Sequence, residues 1–421
     1  MSFLPLDQMA FRDSANLDAF GCLRVSQGDQ LLGATQEYSP HPLVWDHFTT
    51  TGGTATHSTS TNSTVLSTAA STSGARAMRQ TKVYYRYEPG KSHLIKLTGC
   101  IRKSGTASGA AFAALGYYDD NNGVFFKYDA TGISVGERTN TSGSVVETLV
   151  NQTNWNLDKL DGTGASGVTV DWTKEQIFIM DLQWLGVGRV RYGVFVGGSI
   201  TYCHQSFHAN LFTAVYMRTA CLPIRYEVFN SGGAGANISL EAICSAIDSE
   251  GGVQAKAAYP FTYNAYVSSP MSLDTTLRPV VTRRMRDTFN GLTARGHAHI
   301  SDFQIRVGTN DIYWELRYNQ TVTIGGGGSA TTNNVDTTYS QSEYDTYTGA
   351  ANTVSGGVPL YSGFASTGVG SNRLVTATDI GPTLILLGRT YNNTRDSITF
   401  SARSMTGAAT ISLAVGIKEQ Y

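Results

Sequence analysis

The stretch from Ile177 to Gly198, IFIMDLQWLGVGRVRYGVFVGG, constrains the fold more than any other part of the chain. Phe178, Met180, Leu182 and Trp184 alternate with Ile177, Ile179, Asp181 and Gln183, which is the two-residue period of a β-strand. Leu185-Gly186-Val187-Gly188 then turns the chain, because glycine accepts the positive φ that tight hairpins demand. Beyond the turn Val190, Tyr192, Val194 and Val196 share one face, with Arg189, Arg191, Gly193 and Phe195 on the other. Gly197-Gly198 turns again, and Ser199 to Gln205 resumes the alternation. Three strands joined by short glycine turns form a meander, expected in the middle of an antiparallel sheet. The pattern specifies a scaffold and names no chemistry.

At 421 residues the chain is long enough for two or three domains, each with its own core. Charged residues are 15% of it, against about 25% in average globular chains. Together with 45 glycines and 22 tyrosines this suits an all-β extracellular or virion-type protein better than a cytosolic enzyme. A net charge of -1 supplies no field to attract nucleic acid or an acidic membrane surface. No eighteen apolar residues run together, so no membrane insertion is expected. The cysteines, Cys22, Cys100, Cys203, Cys221 and Cys244, are odd in number and widely spaced. They are read as buried or half-buried free thiols, with neither a metal knuckle nor a disulfide framework.

Residues 1–45 read as a docking arm. Short apolar pieces are mixed with Asp, Asn, Gly and Pro, and such a segment is expected to bury itself on a partner subunit. Within Phe11 to Ser26, the residues Leu17, Phe20, Leu23 and Val25 offer apolar anchors, Gly21 a bend, and Arg24 a charge. Thr49 to Gly74 is almost wholly Thr, Ser, Gly, Ala and Asn. It is read as containing an exposed edge strand, although its composition also permits a linker. Hairpin-like pairs follow around Glu88-Pro89-Gly90 and around the loop Tyr118 to Gly123. Trp155 and Trp172 are expected to anchor the long loop between them. The first domain is thus placed at 46–250, with some twelve short strands and a boundary at Ser249-Glu250-Gly251-Gly252. Residues 253–421 repeat the all-β style, with strands expected at 279–282, 298–307, 313–318, 321–324, 383–387, 397–402 and 410–417. A polar region from Gly325 to Gly370 interrupts them.

Candidate chemistry is sparse. Pro89-Gly90-Lys91-Ser92 ends like a phosphate loop but joins two strands, so no helix N-terminus faces a phosphate. Cys203, His204 and His208 lie close together, as do His297 and His299, but zinc needs three or four converging ligands. Asp119-Asp120-Asn121-Asn122-Gly123 could supply oxygens to calcium, yet such runs also favour turns with no ion present. A glycosidase needs two carboxylates about 5–10 Å apart, and Gln183 rather than Glu follows Asp181. Glu343-Tyr344-Asp345 begins the ExDxxE pattern of lectin-like glucanases but ends at Thr348. No nucleophile elbow is present. The expectation is therefore no catalytic residue, no cofactor and no metal. Arg283-Arg284-Met285-Arg286 is read as a solvated edge or salt-bridge partner, and Tyr117, Tyr118, Tyr344, Tyr347 and Tyr361 as loop residues suited to surface recognition.

Seven runs in order also resemble a group of tailed-phage virion proteins, structural or tail-associated. They are DAFGCLRVS (Asp18 to Ser26), RQTKVYYRYEPGKS (Arg79 to Ser92), YYDDNNGVFF (Tyr117 to Phe126), NQTNWNLDKLDGTGASGVTVD (Asn151 to Asp171), WLGVGRVRYG (Trp184 to Gly193), LPIRYE (Leu222 to Glu227) and IDSEGG (Ile247 to Gly252). The first run looks like the family's DAFGRLRVS start, with Cys22 where the family often has Arg. The resemblance spans residues 10–252 and implies a virion protein, with tail fibre, baseplate, connector and capsid surface all open.

The combined expectation is an N-terminal extended arm, a lectin-like (concanavalin A-like or jelly-roll) antiparallel β-sandwich, and a second, C-terminal β-sandwich-type domain. The arm, through Leu17, Phe20, Gly21, Leu23, Arg24 and Val25, would dock on other virion proteins by apolar contacts and strand addition. A homotrimer is the first expectation, since fibre β-proteins bury surface between copies. The start, MSFLPLDQMAFRD, lacks the basic and apolar pattern of an export signal, so synthesis in the host cytoplasm and release by lysis are expected. A carbohydrate-binding or carbohydrate-cleaving attachment protein, engaging a host-surface glycan, is the alternative.

Overall fold

A computed structural model describes residues 17–19, 23–24, 28–69, 72–232, 237–251, 259–264, 270–349, 351–367, 373–376 and 386–420. The chain divides into two units, Met1–Val253 and Gln254–Tyr421. Both are all-β. The described part of the first contains β1 (Asp29–Ala34), β2 (Trp45–Thr49), β3 (Gly53–Ser58), β4 (Ser63–Thr68), β5 (Ala75–Thr81), β6 (Ser92–Ser104), β7 (Ala111–Tyr118) and β8 (Gly123–Asp129). It continues with β9 (Gly132–Thr139), β10 (Val146–Asn151), β11 (Gln176–Leu182), β12 (Val190–Val196), β13 (Ser199–Ser206), β14 (Ile224–Asn230) and β15 (Ile238–Glu250).

These strands form two antiparallel sheets. One runs β13-β12-β11-β6-β15-β4-β3, with β1 also paired to β15; the other runs β10-β9-β8-β7-β14-β5-β2. At the centre of the first sheet lie the two longest strands, β6 and β15, of 13 residues each. Only one face of each sheet packs into the core, so side chains alternate between core and outer face. Phe178, Met180 and Leu182 of β11 and Val190, Tyr192 and Val194 of β12 enter the core, while Asp181 and Arg191, paired across the two strands, face outward.

Aromatic rings fill much of that core. Phe126 meets Phe178 at 5.1 Å, Tyr192 at 5.8 Å and Trp155 at 6.4 Å between ring centres. Trp172 stacks on Phe178, so both tryptophans of the long loop anchor it as expected. Gly197 and Gly198 turn β12 into β13 at φ 61° and 88°, a conformation that suits two glycines.

Two expectations change, and a third is met with one strand more than expected. The meander is strand for strand as read, but β13 ends the sheet, so it forms an edge and not the middle. The segment 1–45 is not wholly an arm. Residues Asp29 to Ala34 pair with β15 beside β4, and Gln36 donates through Nε2 to the carbonyls of Ala242 and Ile243. Backbone groups that find a free strand edge in their own unit need no partner subunit to satisfy them. The polar stretch 49–74 is a β-hairpin, β3 and β4, with β3 at the sheet edge.

The second unit is also built from antiparallel sheets. One pairs Tyr259–Asn264, Ala409–Gln420, His297–Gly308 and Arg373–Thr376 in order, with Met271–Leu273 added to Ala409–Gln420. A second runs Ser329–Asn334, Ser342–Thr348, Arg278–Met285, Ser397–Ser404, Ile312–Tyr318 and Val358–Ala365, and two small two-stranded pairs, Thr288–Phe289 with Leu292–Thr293 and Thr321–Thr323 with Thr353–Ser355, complete the described strands. Their core centres on Phe303, Trp314 and Phe400, with Phe303 and Trp314 at 5.1 Å. The polar region Gly325 to Gly370 therefore holds four strands, which composition alone concealed. Of the strand expected at 383–387, residues 383–385 lie outside the described residues.

Removing the ring that touches three others should weaken the first unit most. Phe126→Ala is expected to destabilise it by about 3–5 kcal/mol, read as a lower urea midpoint by tryptophan fluorescence. A loss under about 1 kcal/mol would mean that the ring cluster collapses around the gap.

Candidate functional site

The outward side chains of β11 and β12 present a problem that alternation creates. Asp181 and Arg191 lie on the face turned away from the core, yet both are fully buried. Leu17, Ala19 and Arg24 reach over this face. Leu17 and Leu23 form an antiparallel bridge, and Arg191 Nη2 donates to the Leu17 carbonyl at 2.7 Å. Arg189 Nη2 donates to the Ala19 carbonyl at 3.0 Å, and the Ala19 amide donates to Ser92 Oγ at 3.4 Å.

Arg24 completes the seat. Its Nε donates to Glu250 Oε1 at 2.5 Å, its Nη2 to Asp181 Oδ2 at 2.6 Å, and its Nη1 to the Tyr202 hydroxyl at 3.1 Å. Asp181 also accepts from Arg191 Nη2 at 2.5 Å, from the Tyr202 hydroxyl at 2.8 Å and, on Oδ1, from Ser92 Oγ at 2.8 Å. Burial opposes the charge on Arg24, but its bond to Glu250 and the field of Asp181 prevail and hold it protonated. Burial likewise pushes the Glu250 carboxyl up, and the Arg24 hydrogen bond opposes that rise. Two guanidinium groups thus face two carboxylates in a seat where Asp181 and Arg191 are fully buried and Arg24 and Glu250 partly so.

The residues proposed for docking therefore divide. Leu17 is buried in its own unit, Arg24 is held by β11, β13 and β15, and Leu23 is 46% exposed. Phe20, Gly21 and Val25 lie outside the described residues. Asp181 and Glu250 form a carboxylate pair that sequence spacing could not reveal, because 69 positions separate them (250 minus 181) and only the sheet order brings β11 and β15 to either side of β6. The outward position of Asp181 in an alternating strand was the available signal.

The remaining candidates resolve into structural roles. In the Asp119 to Gly123 loop, Asp119 Oδ1 accepts the amides of Asn121 and Asn122, each at 2.8 Å. Asp120 accepts from Arg225 at 2.5 Å, and Asn122 Oδ1 from the Arg218 amide at 2.9 Å. One side-chain oxygen of each of these three residues is thus engaged within the protein. Among the described residues no group of three His, Cys, Asp or Glu side chains could hold a metal. Cys100, Cys203, Cys221 and Cys244 are free thiols. Tyr117, Tyr118 and Tyr347 are buried strand residues, not loop residues, and Tyr117 donates to the carbonyls of Tyr85 and Ala220. Arg284 pairs with Glu343 and Asp345, whereas Arg283 is buried and not solvated.

His208 is a clamp. It stacks on Tyr216 at 3.9 Å, and its two ring nitrogens face the Gly188 carbonyl at 2.5 Å and Glu137 Oε2 at 2.8 Å. Both neighbours only accept, so the ring is fully satisfied when doubly protonated. Burial lowers its pKa, but Glu137 outweighs that and the net direction is up.

No family model matches the chain, and no curated protein matches it. Among solved structures, an endo-1,3-β-glucanase from Streptomyces sioyaensis is similar at 11% identity, over 54% of this chain and 99% of that one, with a TM-score of 0.34. The carbohydrate recognition domain of Emp47p is similar at 12%, over 54% and 100%, with a TM-score of 0.32. A carbohydrate esterase of the Shiga toxin-encoding bacteriophage phi24B is similar at 12%, over 53% and 99%, with a TM-score of 0.30. What those proteins bind or cleave is said of them alone.

Two measurements check the site. Arg24→Ala leaves the two carboxylates facing Arg191 alone and should cost about 3 kcal/mol of first-unit stability. Arg24→Lys should recover only part, because one ammonium cannot reproduce the planar fork that serves Glu250, Asp181 and Tyr202 together. An Arg24→Ala variant as stable as the parent in urea would remove the seat from the energetics. For His208 the folded pKa is raised, so its contribution is complete below the unfolded value near ~6.5 and fades as pH rises through the folded one. The stability gap between the parent and His208→Gln should therefore shrink from pH 6 to 8.5, and a gap constant over that range would refute the ionic clamp.

Proposed function

We propose that the chain is a non-catalytic structural component of a tailed-phage particle, joined to other virion proteins and to further copies of itself. The observation that supports this is where the runs resembling virion proteins meet. DAFGCLRVS supplies Arg24, RQTKVYYRYEPGKS supplies Ser92, WLGVGRVRYG supplies Arg189 and Arg191, and IDSEGG supplies Glu250 to one seat. YYDDNNGVFF and LPIRYE meet on the opposite sheet, where Arg225 bonds Asp120 and the Tyr118 hydroxyl bonds Glu227. Residues scattered along the chain thus converge on networks that lock the scaffold. A chain under demand for rigidity, not for chemistry, has this arrangement. The carboxylates of the seat fit the same reading, since a glycosidase acid or nucleophile must reach a sugar. Asp181 instead spends its oxygens on Arg24, Arg191, Tyr202 and Ser92.

In this reading the outward face of the molecule joins neighbours in the particle, a trimer being the first arrangement to test. The test is density-gradient purification of particles, with serum against residues 28–250 used for gold labelling and immunoblotting. The chain is expected to co-purify with intact particles, and its absence from them would sink the proposal. Light scattering of the isolated protein gives the copy number. A fall in host-polysaccharide viscosity with release of reducing ends, abolished by Asp181→Asn, would replace the proposal with a sugar-cleaving attachment protein.

A further inference from the structure

The lateral edge of the sandwich, where β2 ends one sheet and β3 ends the other, gathers hydrogen-bond donors that have nothing to donate to. Arg79 of β5 is 1% exposed and lies opposite His47 of β2, with its guanidinium 4.3 Å above the Trp45 ring. Its Nη1 donates to the Pro40 carbonyl at 2.9 Å and to His47 Nε2. Its Nε and Nη2 are buried and find no acceptor among the described residues. The indole Nε1 of Trp45 and both ring nitrogens of His57 share that condition. His57 lies on β3, close enough to His47 to contribute to the lowering of the His47 pKa.

The groups that act on His47 and Arg79 are basic or aromatic: Arg79 and His57 on the first, Tyr226 on the second. Burial, then Arg79, then His57 lower His47 to about 4, so it stays neutral and accepts from Arg79. Burial lowers Arg79 to about 9, and only the Tyr226 hydroxyl opposes that fall. The other buried arginines of this unit have carboxylates: Arg191 has Asp181, and Arg225 has Asp120 and Glu227. A buried cation without a counter-charge, beside several unmet N–H groups, is costly unless an anion completes it.

We infer that this edge binds a small oxyanion, held by Arg79 Nε and Nη2, Trp45 Nε1 and a ring nitrogen of His57. The class fits the donors. A guanidinium edge offers parallel N–H groups to two oxygens of one phosphate, sulfate or carboxylate, and a tetrahedral anion has oxygens left for the indole and imidazole. The edge position provides a route, since His47 and His57 are only half-buried while Arg79 lies behind them. This inference is independent of the virion reading.

Inorganic phosphate is the probe. Titrated into the full chain at constant ionic strength, it should raise Tm saturably, and it should move the imidazole C–H resonances of His57 and His47 with the same midpoint. His57→Ala removes one donor from an edge strand and should weaken the midpoint roughly tenfold. Arg79→Gln should abolish the effect; because that variant risks the fold, His57→Ala with the resonance readout carries the decision. An equal Tm rise from sodium chloride, resonances that do not respond to phosphate, or an unchanged midpoint in His57→Ala would each overturn the site.

Discussion

A carboxylate removed from water must have cations or donors beside it, and Asp181 shows what that requirement does to a β-sandwich. Its place on an alternating strand points it away from the core, where solvent would normally serve it. Leu17, Ala19 and Arg24 reach over this face instead, and its hydrogen-bonding sites are met by protein: Arg24, Arg191, Tyr202 and Ser92. The charges match only because Glu250, at the end of β15, takes the remaining side of Arg24. The latch thus joins five strands and the N-terminal segment in one interaction that fails as a unit if one member is lost.

That dependence changes the meaning of the N-terminal region. Read as sequence, it has no periodicity and too few apolar residues to bury itself, and a partner subunit was the natural place for it. What composition could not show is that the first unit offers two vacancies, a half-length edge on β15 beyond β4 and a charged outer face on β11 and β12. The region fills both, β1 the first and the residues Leu17, Ala19 and Arg24 the second. Dense local alternation made β11, β12 and β13 legible, because period and turn glycines are local signals. Sheet order is set by long-range pairing, so the edge position of that meander and the pairing of Asp181 with Glu250 were not legible. The same limit hid the strands of Gly325 to Gly370. There, threonine and serine on exposed edges satisfy backbone ladders without the apolar alternation that marks a half-buried strand.

Tyrosine illustrates a different failure. Abundance suggested recognition loops, but Tyr117, Tyr118, Tyr192 and Tyr226 are all buried, their hydroxyls bonded to carbonyls or side chains within the unit. A buried tyrosine adds ring area to the core and ties strands together at its rim, provided that a partner waits for the hydroxyl. These hydroxyls give the two sheets polar cross-links in addition to the buried ion pairs.

The first unit buries several guanidinium groups, and they differ in a way that bears on function. Arg191 and Arg225 sit among carboxylates from their own chain, so their cost is met internally and their role is to fix strand order. Arg79 has an imidazole, a carbonyl and an indole face, none of which carries negative charge. Scaffold demands explain the first pair fully: removing either cation would strand an acid. They do not explain Arg79, where a methionine would pack the same volume at less electrostatic cost. A buried cation with no carboxylate partner among the described residues, behind two half-buried histidines at a sheet edge and beside unmet donors, points to something outside the chain that supplies the missing charge.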